Sequence, residues 1–193
     1  MIEPPPEEPT LQEAAEWTIR ALRDEGLPVL LCGRGALDYL GEHTGSVDVD
    51  ILIGADFRGA LSVLDAYADR GDLNPVGGTS GSVVRYLVAG SRPVDVLDVS
   101  SVHAKLFSIL SREASKSIRM GTAGDVPAVT QEGYFVLAVM IGLRGFAKEK
   151  EDPMWKVREA WELFGSRADR DGIHRMLRKM GAGDALDRAL QPP

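Results

Sequence analysis

Asp48 and Asp50 stand two residues apart in the run Ser46-Val47-Asp48-Val49-Asp50-Ile51-Leu52-Ile53. Alternate side chains of an extended chain share a face, so the two carboxylates project to one side, roughly 6–7 Å apart along the backbone. Val47, Val49, Ile51 and Ile53 then fill the opposite, apolar side. Like charges among apolar neighbours repel and resist burial, and a divalent cation with oxygen ligands neutralises both. A third acid, Asp95 in Val94-Asp95-Val96 or Asp98 in Leu97-Asp98-Val99, lies on a later apolar run. Carboxylates so arranged can hold two divalent metals about 3.5–4 Å apart, clamping the attacking and leaving oxygens of a phosphoryl displacement. Upstream, Leu30-Leu31-Cys32 runs into Gly33-Arg34-Gly35-Ala36. A turn between a strand and a helix offers backbone N–H groups to an anion. Phosphoryl transfer asks mainly for positioning and charge stabilisation, and this pairing supplies both.

The elements that must carry these residues can be read from hydrophobic spacing. Residues 1–10 form an acidic, proline-rich leader, disordered or extended, with Pro4-Pro5-Pro6 stiffening it. Thr10 with Glu13 has capping-box spacing, and Leu11, Ala14, Ala15, Ile19 and Leu22 repeat as a helix that Gly26 stops. Residues 27–32 predict a short buried strand, 36–40 a short helix, 42–46 a polar loop and 47–53 the strand of the two aspartates. Residues 57–70 read as an amphipathic helix and 73–76 as a strand; 77–82, rich in Gly and Ser, read as a hairpin turn or a phosphate-binding loop. Residues 83–88 and 93–99 form an antiparallel pair around Ala89-Gly90-Ser91, with Asp95 facing one way and Asp98 the other. The segment 102–109 favours a helix, residues 118–129 a small hairpin, and helices follow over 132–143, 154–164 and 170–180, before a short closing segment at 184–190. The division is therefore a leader (1–10), an α/β core (11–100) and a mostly helical C-terminal region (101–193) packed on it.

Bulk properties narrow the class. The chain has 193 residues, 44% hydrophobic and 26% charged, as in an ordinary globular protein able to bury a core. Its net charge of −7 argues against broad, non-specific coating of nucleic acid, while leaving a local basic surface open. Cys32 is the sole cysteine, which excludes an intrachain disulfide and reads as a buried, inert thiol. No apolar run approaches the roughly 20 residues of a membrane span, and the acidic leader is unlike a signal peptide, so a cytoplasmic protein without membrane partners is expected. His43, His103 and His174 lack ligand spacing, and Trp155 and Trp161 read as packing. Lys148, Lys150, Lys156 and Arg158 alternate with Glu149, Glu151 and Asp152, as on a solvated helix face. Arg170, Arg175, Arg178 and Lys179 form the one sustained basic stretch, a candidate RNA contact.

Gly33-Arg34-Gly35-Ala36, followed by Asp48-Val49-Asp50 with residues 35–47 between Arg34 and Asp48, resembles the signature of the polymerase-beta-type nucleotidyltransferase superfamily. The resemblance covers about residues 27–99. It implies an α/β (α+β) fold, a nucleotidyltransferase-like mixed twisted sheet flanked by helices, with a C-terminal helical region. It also implies Mg2+ (or Mn2+) held by Asp48, Asp50 and Asp95, and a nucleoside triphosphate bound by the turn at Gly33 and Arg34. The reaction implied is nucleotidyl transfer to an acceptor hydroxyl on RNA, protein or a small molecule. More loosely, Val126-Pro127-Ala128-Val129-Thr130-Gln131-Glu132 and Lys148 to Asp152 resemble the small AbiEii-like branch, which implies a toxin–antitoxin role and an antitoxin partner.

The sequence departs from that pattern in two places. Arg34 stands where the superfamily has Gly or Ser; it either blocks the backbone approach of phosphate or binds phosphate through its guanidinium. Val139 and Met140 occupy the window where AbiEii-like proteins carry a triphosphate-facing lysine, with Arg144 the nearest substitute. These departures motivate the alternative of a catalytically inactive nucleotidyltransferase-fold protein that binds or regulates.

Overall fold

Two opposite faces of one sheet bury two separate sets of apolar side chains, and the alternation within each strand sets this arrangement. The computed structural model describes residues 2–54, 56–76, 82–144 and 152–191. The Gly-rich stretch 77–81 and most of the Lys148–Asp152 segment lie outside them, so neither expectation is addressed. Helix α1 (Leu11–Asp24) carries the anticipated capping box: the Thr10 hydroxyl accepts from the Glu13 N–H, and the Glu13 carboxylate accepts from the Thr10 N–H. Strand β1 (Val29–Cys32) passes directly into α2 (Gly33–Tyr39), and β2 (Val49–Ile53) follows the loop. Helix α3 (Phe57–Ala68) leads to β3 (Leu73–Val76), β4 (Val83–Val88) and β5 (Arg92–Asp98). Ala89 and Gly90 both take positive φ between β4 and β5, and Ser91 N–H donates to Val88 C=O, a turn whose twist matches that of the strands.

Beyond residue 100 come α4 (Leu106–Glu113), the hairpin β6 (Ser115–Met120) and β7 (Gly124–Val129), then α5 (Gln131–Leu143), α6 (Trp155–Phe164), α7 (Arg170–Arg178) and α8 (Ala185–Ala189). Among the described residues seven strands form a single mixed sheet in the order β3-β4-β5-β2-β1-β7-β6. Strands β6 and β7 thus extend the core sheet from within the C-terminal half, β7 running parallel to β1. Val49, Ile51, Ile53, Val94 and Val96 bury one face under α1 and α3. Leu30, Cys32 and Leu52 bury the other under α4, α5 and the C-terminal helices. Fully burying one such aliphatic side chain stabilises by roughly 1.5–3 kcal/mol, so both layers bind firmly to the sheet. Trp161 packs edge-on to Phe135, ring centroids 5.0 Å apart, in keeping with its expected packing role.

One expectation needs correction here. Val47, assigned to the buried side of the second strand, is 79% exposed, because β2 begins only at Val49 and the loop still governs position 47. The leader takes its extended alternative and is held down rather than free. Ile2 is buried with its N–H donating to Tyr67 Oη at 2.8 Å, Trp17 Nε1 donates to Glu3 C=O, and Arg92 Nε donates to Pro9 C=O.

Candidate active site

The strand-to-helix turn shapes the floor of a cleft. Gly33 has φ +69°, a conformation costly for any residue with a Cβ. A Cβ there would collide with Asp50 Oδ2 and stand 2.8 Å from its Cγ and 3.1 Å from its Cβ. Glycine at this position therefore makes room for the Asp50 carboxylate. Gly35 serves the same approach one step on, since its Cβ would lie 3.1 Å from Asp48 C=O.

Strand register brings the acids together. Asp50 lies opposite Asp95 across the parallel β2–β5 pair and opposite Cys32 across β1–β2. Asp48 sits just before β2, where Ser46 Oγ donates to its backbone carbonyl at 3.0 Å and to its Oδ1 at 3.3 Å. Burial pushes Asp50 up to about 7, with the neighbouring charges of Asp48 and then Asp95 adding to it, and Lys156 and Arg85 only partly opposing. Burial also pushes the Cys32 thiol well up, which keeps it protonated and inert, as its sequence context implied.

Arg85 is the unforeseen member. It stands opposite Asp95 across the antiparallel β4–β5 pair. Its Nε donates to Asp95 Oδ1 at 2.6 Å and its Nη2 to Asp95 Oδ2 at 2.6 Å, a two-pronged pairing. The same Nη2 reaches Asp48 Oδ2 at 3.2 Å. One guanidinium thus spans two of the three acids. Its hydrogen bonds to Asp95 raise its own pKa still further above the ordinary arginine value, despite some burial.

The loop before β2 is fixed from α2. Asp38 Oδ1 accepts from the N–H groups of Thr44 and Gly45, and Oδ2 accepts from Ser46 N–H at 2.8 Å. Burial alone would raise this carboxyl, yet the hydrogen bonds from Ser46, Thr44 and Gly45 hold it below the usual range. Thr44 Oγ1 also donates to Arg34 C=O, which joins the loop to the turn.

Helices α5 and α6 form the opposite wall. Tyr134, Leu137, Ala138, Ile141 and Gly142 face a cleft of about 540 Å³, which Pro153 and Lys156 close from the far side. Gly142 permits that closure, for a Cβ there would stand 2.9 Å from Pro153 C=O. Arg34 lies on the cleft wall and pairs with Glu159 at 3.5 Å, both half-exposed, a pair worth under about 1 kcal/mol. The cleft can therefore present carboxylate oxygens at its floor, cations at its rim and an apolar wall opposite.

Gly33, Arg34, Asp48, Asp50 and Asp95 all line this one cleft. Asp98 does not join them: its Oδ1 accepts from the N–H and hydroxyl of Ser100. Arg144 is not the cleft's cation either, since its Nε donates to Val102 C=O at 2.8 Å. Lys156, read from sequence as part of a solvated face, fills that position from α6. Val139 and Met140 are buried in the core rather than facing the cleft. The basic stretch on α7 is largely neutralised, with Arg170 on Asp187, Arg175 on Asp169 and Lys179 on Glu113. Three hard carboxylates suit Mg2+ or Mn2+ by donor chemistry. As they stand, no three His, Cys, Asp or Glu side chains among the described residues are disposed to hold a metal ion, and Arg85 bonds two of the acids.

No family model matches the chain, and no curated protein does. Solved structures do. A nucleotidyltransferase-like antigenic protein from Paracoccidioides brasiliensis aligns with a TM-score of 0.50 at 12% identity, over 93% of this chain and 91% of that one. The antibiotic-resistance factor ANT(2'')-Ia in solution aligns with a TM-score of 0.53 at 14% identity, over 91% and 94%. The same factor in complex with adenylyl-2''-tobramycin gives 0.52 at 14%, over 85% and 92%. At such identities the likeness speaks for the fold alone. Seven strands and flanking helices in this order make the fold nucleotidyltransferase-like.

Proposed function

We propose that the protein is a metal-dependent nucleotidyltransferase that moves a nucleotidyl group from a nucleoside triphosphate to an acceptor hydroxyl. The observation that carries this reading is the convergence of Asp48, Asp50 and Asp95 beside the Gly33 turn, on a nucleotidyltransferase-like fold. Asp48, Asp50 and Asp95 would hold Mg2+ or Mn2+, which neutralises the acids and polarises the phosphate oxygens when bound. Gly33 and Arg34 border the phosphates, and Lys156 adds positive charge from the opposite wall. The acceptor oxygen attacks the α-phosphorus, the bond from that phosphorus to the bridging oxygen breaks, and pyrophosphate leaves. Asp95 takes the acceptor proton. Leu97, Leu137 and Ile141 add apolar surface to the lining of the cleft.

Label transfer from α-32P nucleoside triphosphates to RNA, protein and small-molecule pools, with Mg2+ present, tests this directly. The wild type labels one pool and Asp48→Asn/Asp50→Asn labels none; labelling that survives the double substitution contradicts the assignment.

Arg34 motivates a second reading, a catalytically inactive protein of this fold that binds or regulates, because Arg34 lines the cleft wall and is paired with Glu159. Arg34→Gly separates the two: transfer that appears only in the variant favours the inactive reading. The AbiEii-like branch, with its toxin–antitoxin role and antitoxin partner, rests on the sequence resemblance. Growth arrest on expression in bacteria supports it, and harmless expression of a soluble protein counts against it.

A further inference from the structure

The contacts of Arg85 go beyond the acids' assignment. A metal site built from three carboxylates on adjacent strands would repel itself when empty. Here that repulsion is met by a side chain. Arg85 is set directly across from Asp95 by the β4–β5 register, uses both Asp95 oxygens at 2.6 Å, and extends to Asp48 Oδ2 at 3.2 Å. Asp95 is 14% exposed, Asp48 32% and Arg85 40%, so the acids are sheltered within the cleft while the guanidinium is partly open to solvent. Charge-assisted, two-pronged pairs in such a setting are about twice as strong as neutral hydrogen bonds.

We propose that Arg85 is the resident counter-cation of the acid cluster, and that a divalent cation and the Arg85 guanidinium are alternative occupants of the same Asp48 and Asp95 oxygens. The proposal rests on the reading of these acids as a metal site. A guanidinium cannot be deprotonated near neutral pH, so it leaves only by moving. Metal loading therefore carries the cost of breaking three hydrogen bonds, and the cleft binds free metal weakly. A nucleotide offsets that cost by offering phosphate oxygens both to the metal and to the released guanidinium. Arg85 in this role positions the acids and sets the order of loading; it is not assigned to the reacting atoms.

The test is Mn2+ binding to the nucleotide-free full chain, followed by electron paramagnetic resonance, with thermal melts confirming that each variant folds. Arg85→Gln removes the competitor and tightens Mn2+ binding by on the order of tenfold or more. Arg85→Lys keeps a charge at the position and stays near the wild type. Adding Asp48→Asn to Arg85→Gln abolishes the gain. Equal affinity in the wild type and Arg85→Gln overturns this proposal and leaves the metal-site reading standing. A gain that survives Asp48→Asn also overturns it, because the ion then does not use the oxygen that Arg85 holds. Absence of Mn2+ binding in every folded variant, even with a non-hydrolysable nucleotide added, removes both the proposal and the reading on which it rests.

Discussion

Replacing Gly33 by alanine should cost more than its backbone conformation alone, and the surplus measures how tightly Asp50 is seated. Two glycines make the comparison. Gly26 and Gly33 have nearly the same φ, +74° and +69°, but a Cβ at 26 meets nothing within 4 Å, while one at 33 runs into Asp50. Gly26→Ala therefore reports only the left-handed backbone, about 1–2 kcal/mol. Gly33→Ala adds displacement of Asp50 from its rotamer, a further ~0.5–1.5 kcal/mol. Asp50 cannot retreat freely, since Cys32 and Asp95 flank it on the neighbouring strands. The total for Gly33→Ala is about 1.5–3.5 kcal/mol, or roughly 3–14 °C in Tm for a chain of this size. Urea unfolding gives both values under identical conditions. Mn2+ binding should be unchanged in Gly26→Ala and weakened in Gly33→Ala. The reasoning is refuted if the two variants lose the same stability within about 0.3 kcal/mol and both retain metal binding.

Other outcomes follow from single contacts. Asp38→Ala frees three N–H groups of the loop at 44–46 and should lower stability by about 1–3 kcal/mol, while amide exchange at Thr44, Gly45 and Ser46 accelerates; unchanged exchange would show that another group holds the loop. Thr10→Ala removes the capping box of α1 and should cost about 1 kcal/mol in urea unfolding, with no effect on metal or nucleotide binding. The raised pKa of Asp50, about 7 against 3.8, makes the metal-free protein favour the protonated form. Its stabilising contribution is complete below pH 3.8 and is lost as pH climbs to about 7, on the order of 4 kcal/mol in all. Urea unfolding across pH 5–8 should show this downward slope in the wild type and not in Asp50→Asn, and equal slopes would contradict it.

Much of the architecture could be read from the chain because local signals agreed with one another. The Thr10–Glu13 box, the stop at Gly26 and the period-two strands each point to one structure, and each element formed near its expected bounds. The Asp48–Asp50 spacing led to the site because Asp50 pairs with Asp95 in the parallel register, and Asp48, just ahead of the strand, is joined to Asp95 through Arg85. Arg85 escaped notice for want of a motif, yet its place was encoded: a turn at Ala89-Gly90-Ser91 pairs Val88 with Arg92 and, three steps back, Arg85 with Asp95. Lys156 carried no such signal. Its approach to the acids depends on how α6 docks against α5, which no local pattern specifies. Arg144 looked available by sequence position, but the end of α5 directs it to Val102 C=O. The docking of the leader likewise depends on long-range partners, Tyr67 and Arg92, far from it in sequence.

The proposed activity needs Asp48, Asp50 and Asp95 to form a working metal–nucleotide site despite Arg34 on the cleft wall and Arg85 among the acids. Isothermal titration of the protein with each nucleoside triphosphate in the presence of Mg2+, repeated on Asp48→Ala/Asp50→Ala, tests it most directly. The account predicts saturable binding of at least one nucleotide by the wild type, lost in the double variant. Absence of binding by the wild type, or binding that persists unchanged without the two aspartates, would contradict it.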